Sequence, residues 1–143
     1  MSTSRDAIAA LIFTYAERLD AGELAGVAAL FRDATFRSMQ GGNYRGSAEV
    51  LDVLTQKVIL YPDGTPRTKH VTTNLVIEVD HGEAVASSRS YFTVLQATDR
   101  LSLQPVIAGR YHDRFVREGG AWRFADRLIF VDLVGDLSQH VRG

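Results

Sequence analysis

The chain has 143 residues, 45% of them hydrophobic and 23% charged, which suits a single domain over 1–143 with a real core and leaves little room for two. Its net charge of −1 offers no strong field for nucleic acid or an anionic membrane, and neither partner is expected. The absence of cysteine excludes disulfides, thiolate catalysis and Cys-based zinc or iron–sulfur sites.

The longest apolar runs, VAALF and LIFVDLV, fall far short of the ~20 residues that a membrane-spanning helix needs. No charged-then-apolar segment opens the chain, so a cytoplasmic location is expected. The first third reads as helical. In SRDAIAALIFTYAERLD the residues Ile8, Leu11, Ile12, Tyr15 and Leu19 form one apolar stripe, with Ser4 as the expected N-cap and Asp6 in the first turn. AGE interrupts at Gly22, and a short second helix follows over 23–31. RDATFRSM alternates as a short strand does. GGNYRG reads as a turn, and SAEVLDVLTQKVI returns to helical period behind Ser47 as N-cap.

After the loop YPDGTP (61–66) the period changes to two. Strand-like runs cover 67–79, 84–96, 103–117 and 121–134, and glycine-bearing turns join the first to the second and the third to the fourth. Helices first and a long antiparallel meander after them argue for an α+β fold. The expected architecture is a cone-shaped α+β barrel, its N-terminal helices packed on a strongly curved, mainly antiparallel sheet that encloses a pocket.

Two residues stand out as an acid–base pair. Asp20 lies at the C-terminal end of the first helix, where the macrodipole disfavours a carboxylate by ~0.3–1 kcal/mol. Two readings stand side by side. Asp20 and Glu23 fit a capping box for the second helix. Alternatively, Asp20 orients the His70 imidazole and stabilises the imidazolium that forms when the ring takes a proton. Strict alternation puts His70, Thr72, Asn74, Val76 and Glu78 opposite the apolar Val71, Thr73, Leu75, Ile77 and Val79. That face is either solvent or, if the strand bends, a pocket floor. His81, His112 and His140 read as a turn, a solvated face and a polar tail. No spacing fits a metal site, a phosphate loop or a dinucleotide fingerprint, and no metal or cofactor is expected.

The motifs Y-x-x-x-x-D, AALF-x-D-A-x-F, G-x-Y-x-G, H-x-x-T-N-L and G-x-Y-x-D-x-F-V-R-x-x-G-x-W-R-F, spread over about residues 5 to 132, together resemble the SnoaL-like branch of the nuclear transport factor 2-like superfamily. The sequence is most similar to the branch holding scytalone dehydratase and hexachlorocyclohexane dehydrochlorinase. That resemblance implies cofactor-free proton abstraction, with His70 as base and Asp20 as its partner. It implies that Arg127 assists a leaving group, and that Tyr44 lies near a tyrosine that holds water or a carbonyl. Tyr15 stands where the dehydrochlorinase has a lysine, and Ser88 or Ser90 stands where the dehydratase has a second histidine. On the residues alone, Tyr15 is equally a core aromatic, and the parity of the last strand leaves the face of Arg127 open.

The reading expected from these residues is a dehydratase-like lyase or an isomerase acting on a hydrophobic small molecule such as a polyketide, steroid or aromatic xenobiotic. Asp20 and His70 are the catalytic pair, and Tyr15, Tyr44, Arg127 and Ser90 contact the substrate. The alternatives are a non-catalytic ligand-binding or dimerisation module, and a structural small subunit like that of ring-hydroxylating dioxygenases. A homo-oligomer, in the first instance a dimer, is expected from the apolar residues of the sheet, and the ending SQHVRG is expected to fray.

Overall fold

The computed structural model describes residues 3–143. Helix α1 (Ser4–Asp20) buries Ile8, Ile12, Tyr15 and Leu19, the stripe its period predicts. Its N-cap is Thr3 rather than Ser4, because only Thr3 stands three residues before an acidic side chain. The Thr3 hydroxyl accepts from the Asp6 amide at 3.1 Å, and the Asp6 carboxylate accepts from the Thr3 amide at 3.2 Å. Helix α2 is Leu24–Ala29, and strands β1 (Thr35–Ser38) and β2 (Asn43–Arg45) lead into α3 (Gly46–Lys57). The expected cap of α3 at Ser47 is replaced by Arg45, whose amide is held by the Glu49 carboxylate at 2.9 Å. Four long strands complete the chain: β3 (Thr68–Val79), β4 (Val85–Thr98), β5 (Leu101–Glu118) and β6 (Ala121–Val134).

The six strands form one sheet in the order β2-β1-β6-β5-β4-β3. β1 runs parallel to β6 and every other pairing is antiparallel. β2 and β3 are free edges, so the expected barrel is an open sheet. With β2 only three residues long and passing straight into α3, no strand remains to bridge the edges. The sheet nevertheless wraps its helices. α1 packs against both β3 and β6, strands from opposite halves of the sheet, which requires strong coiling. Bulges in β3–β4, β4–β5 and β5–β6 supply it.

Two of those bulges decide which side chains face inward. In β3 the register shifts between Thr73 and Val76, with Asn74 at φ 52°. Before the bulge Thr68, His70 and Thr72 point inward; after it Leu75, Ile77 and Val79 do. Uninterrupted alternation, which sets His70 opposite Leu75, is thereby corrected: both lie on the inner face. In β6 the register steps from Asp126 to Phe124 across Ala125, so Trp122, Phe124 and Arg127 are all buried.

The core joins the inner sheet face to α1, α2 and α3, and Phe31 stacks on Phe124 with ring centres 4.9 Å apart. Gly22 closes the seam between α1 and the 61–66 loop. It adopts φ 77°, and a Cβ there would lie 1.9 Å from the Gly64 carbonyl oxygen. The C-terminal segment does not fray. Val141 bridges to Val58, the Gln139 carbonyl accepts from Gln96 Nε2 at 2.9 Å, and the Arg142 guanidinium caps the Val58 carbonyl at 2.8 Å. Among the described residues no helix is long and apolar enough to cross a membrane.

Candidate functional site

Asp20 ends α1 and does not cap α2. The N-cap of α2 is Glu23, with no side-chain hydrogen bond. Instead the Asp20 carboxylate reaches across to the start of β3. Its Oδ2 accepts the His70 backbone amide at 2.8 Å, and its Oδ1 accepts the Thr68 hydroxyl at 2.8 Å. His70 Nδ1 lies 2.6 Å from the same Oδ1. Against a carboxylate that only accepts, Nδ1 carries the proton, and the ring lone pair resides on Nε2. Nε2 makes no hydrogen bond within the described residues. Both side chains are nearly buried, at 6% and 10% exposure for His70 and Asp20.

Burial alone would raise the Asp20 pKa. The His70 ring, the His70 amide and the Thr68 hydroxyl outweigh it and hold the carboxyl below its ordinary value. These donors also offset the unfavourable end of the α1 dipole. The pair borders a cleft of about 570 Å³ along the seam of α1 and β3. Phe13, Ala16 and Ala21 give it an apolar wall, and Glu17, Lys69 and Thr72 give it a polar one.

Tyr15, Ser90 and Arg127 lie in a second polar group inside the sheet. Arg127 is fully buried, and its Nε and Nη2 donate to the two oxygens of Asp113 at 2.8 and 2.9 Å. The guanidinium stacks 3.6 Å from the centre of the Tyr111 ring and 4.3 Å from that of Tyr15. Burial would lower the Arg127 pKa, but Asp113 more than compensates and raises it. Burial raises both tyrosine hydroxyls above their ordinary values, Tyr111 well above. All three facts describe a permanently charged arginine between neutral phenols. Its Nη1, and the hydroxyl of Ser90 on the strand paired with Tyr111, are buried without protein partners. Ser88, the other serine the sequence offers, lies 3.4 Å from Asp113 Oδ2.

Tyr44 is not gathered with these residues. It sits on β2, at the edge of the sheet opposite β3, with its ring against Gly42. The structure also assembles residues that sequence reasoning passed over. Tyr111 and Asp113 belong to GRYHDRF, where the outward residues Arg110, His112 and Arg114 made the stretch look solvated. The opposite parity was the available signal. Thr68 carried none. His140, read as part of a polar tail, is buried with its ring centre 6.1 Å from that of His70.

A family model described as a SnoaL-like domain matches residues 1–128. Among solved structures, Rv3472, a protein of unknown function from Mycobacterium tuberculosis, is 30% identical. The match covers 89% of this chain and 70% of that one, with a TM-score of 0.71. A candidate scytalone dehydratase from Novosphingobium aromaticivorans is 23% identical over 92% of this chain and 86% of its own, with a TM-score of 0.73. LinA is 23% identical over 94% and 90% of the two chains, with a TM-score of 0.73. At that identity the last two speak for the fold alone. Among curated proteins none matches this sequence. The chain belongs to the SnoaL-like domain family.

Proposed function

We propose that the protein is a cofactor-free lyase or isomerase that removes a proton from carbon in a hydrophobic small molecule. The observation that carries this reading is the 2.6 Å contact between His70 Nδ1 and Asp20. It fixes the tautomer and leaves Nε2 as a base beside an apolar-walled cleft. A neutral imidazole with its lone pair on Nε2 is the form that takes a proton. Asp20 orients the ring and stabilises the imidazolium. The buried group of Arg127, Ser90 and Tyr15 takes a supporting part in this reading: Arg127 Nη1 and the Ser90 hydroxyl, without partners among the described residues, would meet a carbonyl or a departing group.

The test needs no knowledge of the natural substrate. The protein is incubated in heavy water with a panel of bicyclic and steroidal ketones, and deuterium uptake next to the carbonyl is followed by NMR. Wild type is expected to catalyse exchange, and His70→Ala to lose about 10²–10⁴-fold of it. Equal rates in wild type and His70→Ala would sink the reading and favour a ligand-binding module.

A homodimer is proposed to form through the outer face of the sheet. That face exposes Val71, Val76 and Tyr91 at 39%, 39% and 52% beside the ion pairs Arg110–Asp132 and Arg89–Glu78. Exposed Tyr91 and the valines would form the apolar centre of such an interface, with the ion pairs at its rim. Light scattering is expected to give twice the chain mass, and a clean 15.8 kDa species would count against it.

A further inference from the structure

The C-terminal segment brings a second imidazole, that of His140, to 6.1 Å from the His70 ring, centre to centre. Its anchors are backbone groups and neighbouring side chains. The Ile59 amide donates to the His140 carbonyl at 3.2 Å, and the Arg142 amide donates to the Lys57 carbonyl at 2.9 Å. The Gln139 carbonyl also accepts the Tyr61 hydroxyl at 2.5 Å. None of these bonds uses the His140 side chain. Yet the residue there is polar, 7% exposed, and its Nδ1 has no protein partner. Buried polar atoms are nearly always satisfied, and one left open beside a candidate base points to a ligand.

Asp20 and His70 are the charged or titratable groups that act on this ring. Burial, with a smaller contribution from the neighbouring His70 ring and against the opposing pull of Asp20, pushes the His140 pKa down to about 4. At neutral pH the ring is therefore an uncharged imidazole with one N–H to donate. The two rings meet edge to face at 62°. With centres 6.1 Å apart, the two rings are near enough to act on neighbouring atoms of one small molecule.

Building on the function proposed above, we propose that His140 donates a hydrogen bond to the oxygen of an enolisable carbonyl substrate while His70 takes the neighbouring proton. The C–H bond breaks and its proton bonds to His70 Nε2. The electron pair forms the C=C bond, and the carbonyl π pair moves to the oxygen, where the His140 N–H meets the developing charge. Return of the proton from His70 to another carbon gives an isomer; where a β-hydroxyl is present, the enolate pair re-forms the carbonyl, the C–O bond breaks and the leaving oxygen takes the proton from His70 to depart as water, giving the unsaturated ketone. The substrate class narrows accordingly to ketones and related carbonyl compounds. An isolated alkyl halide is left out.

The test uses the full chain and the bicyclic ketone β-tetralone. Imidazole nitrogen shifts are recorded by NMR during titration of wild type and His70→Ala, and exchange rates are measured for His140→Gln and His140→Phe. The ketone is expected to move a His140 nitrogen in both proteins. His140→Gln, which keeps an N–H donor, is expected to stay within about tenfold of wild type. His140→Phe is expected to lose about 10²–10³-fold in kcat with KM nearly unchanged and an unaltered melting temperature. A shift at His140 with no exchange in wild type would remove the catalytic reading and keep the hydrogen bond. Exchange that His140→Phe leaves at the wild-type rate would overturn this inference and spare His70, and so would a His140 signal unmoved by millimolar ketone.

Discussion

Asparagine at position 20 is expected to cut proton abstraction by about 10³–10⁴-fold while leaving the chain folded. The reason is a count of donors and acceptors. Asp20 Oδ2 faces the His70 amide, which only donates. Oδ1 faces the Thr68 hydroxyl and His70 Nδ1. An asparagine must turn its one oxygen to the backbone amide, since its own NH₂ there would set donor against donor. The NH₂ then faces Thr68, whose hydroxyl accepts equally well, and His70 Nδ1, which must now accept too. The ring proton moves to Nε2 and the base is lost.

Ring nitrogen shifts are expected to report that tautomer change directly, alongside the fall in exchange rate. An unchanged tautomer and rate would mean that Asp20 serves only to tie α1 to β3. A second signature follows from the depressed carboxyl. A carboxyl whose folded pKa lies below its unfolded value near ~3.9 stabilises the fold above that value. The contribution is lost as pH falls through the folded pKa. Thermal melts are therefore expected to show wild type more stable than Asp20→Asn at neutral pH, with the gap narrowing below about pH 4.

The residues that make this pair were legible one at a time, and their meeting was not. Asp20 fits Asp-x-x-Glu, a local pattern that correctly describes many helix starts. The partners it chose instead lie 48 and 50 residues away, beyond the reach of any local rule. Alternation found all four long strands to within a few residues, because each strand keeps one face buried. It failed at Asn74 and Ala125, where a bulge exchanges the faces. Asparagine is among the few residues that tolerate a positive φ, so Asn74 was a readable signal. Ala125 gave none. The C-terminal segment has no periodicity at all. It is held by single hydrogen bonds to Val58, Tyr61 and Gln96, which is why a tail that reads as polar carries a buried histidine.

The largest expected effect on stability belongs to Asp113. Replacing it with alanine leaves the Arg127 guanidinium, with no exposed surface, charged against the rings of Tyr15, Tyr111 and Phe124. Raised as its pKa is by Asp113, Arg127 has no accessible neutral form to retreat to. Removing one member of such a buried pair costs about 3–5 kcal/mol, and for a chain of this size that lowers Tm by roughly 10–20 °C. Replacing both partners, as in Asp113→Leu with Arg127→Met, removes the charges together and is expected to recover most of the loss. Denaturant unfolding of the two single variants and the double closes the cycle. A strong positive coupling between the sites is the expected result, and additive losses would mean that the pair is not mutually dependent. The double variant also separates stability from chemistry. It keeps the folded sheet without the buried cation, so a stable protein with its His70 tautomer intact and its exchange rate reduced would place Arg127 in the reaction as well as in the core.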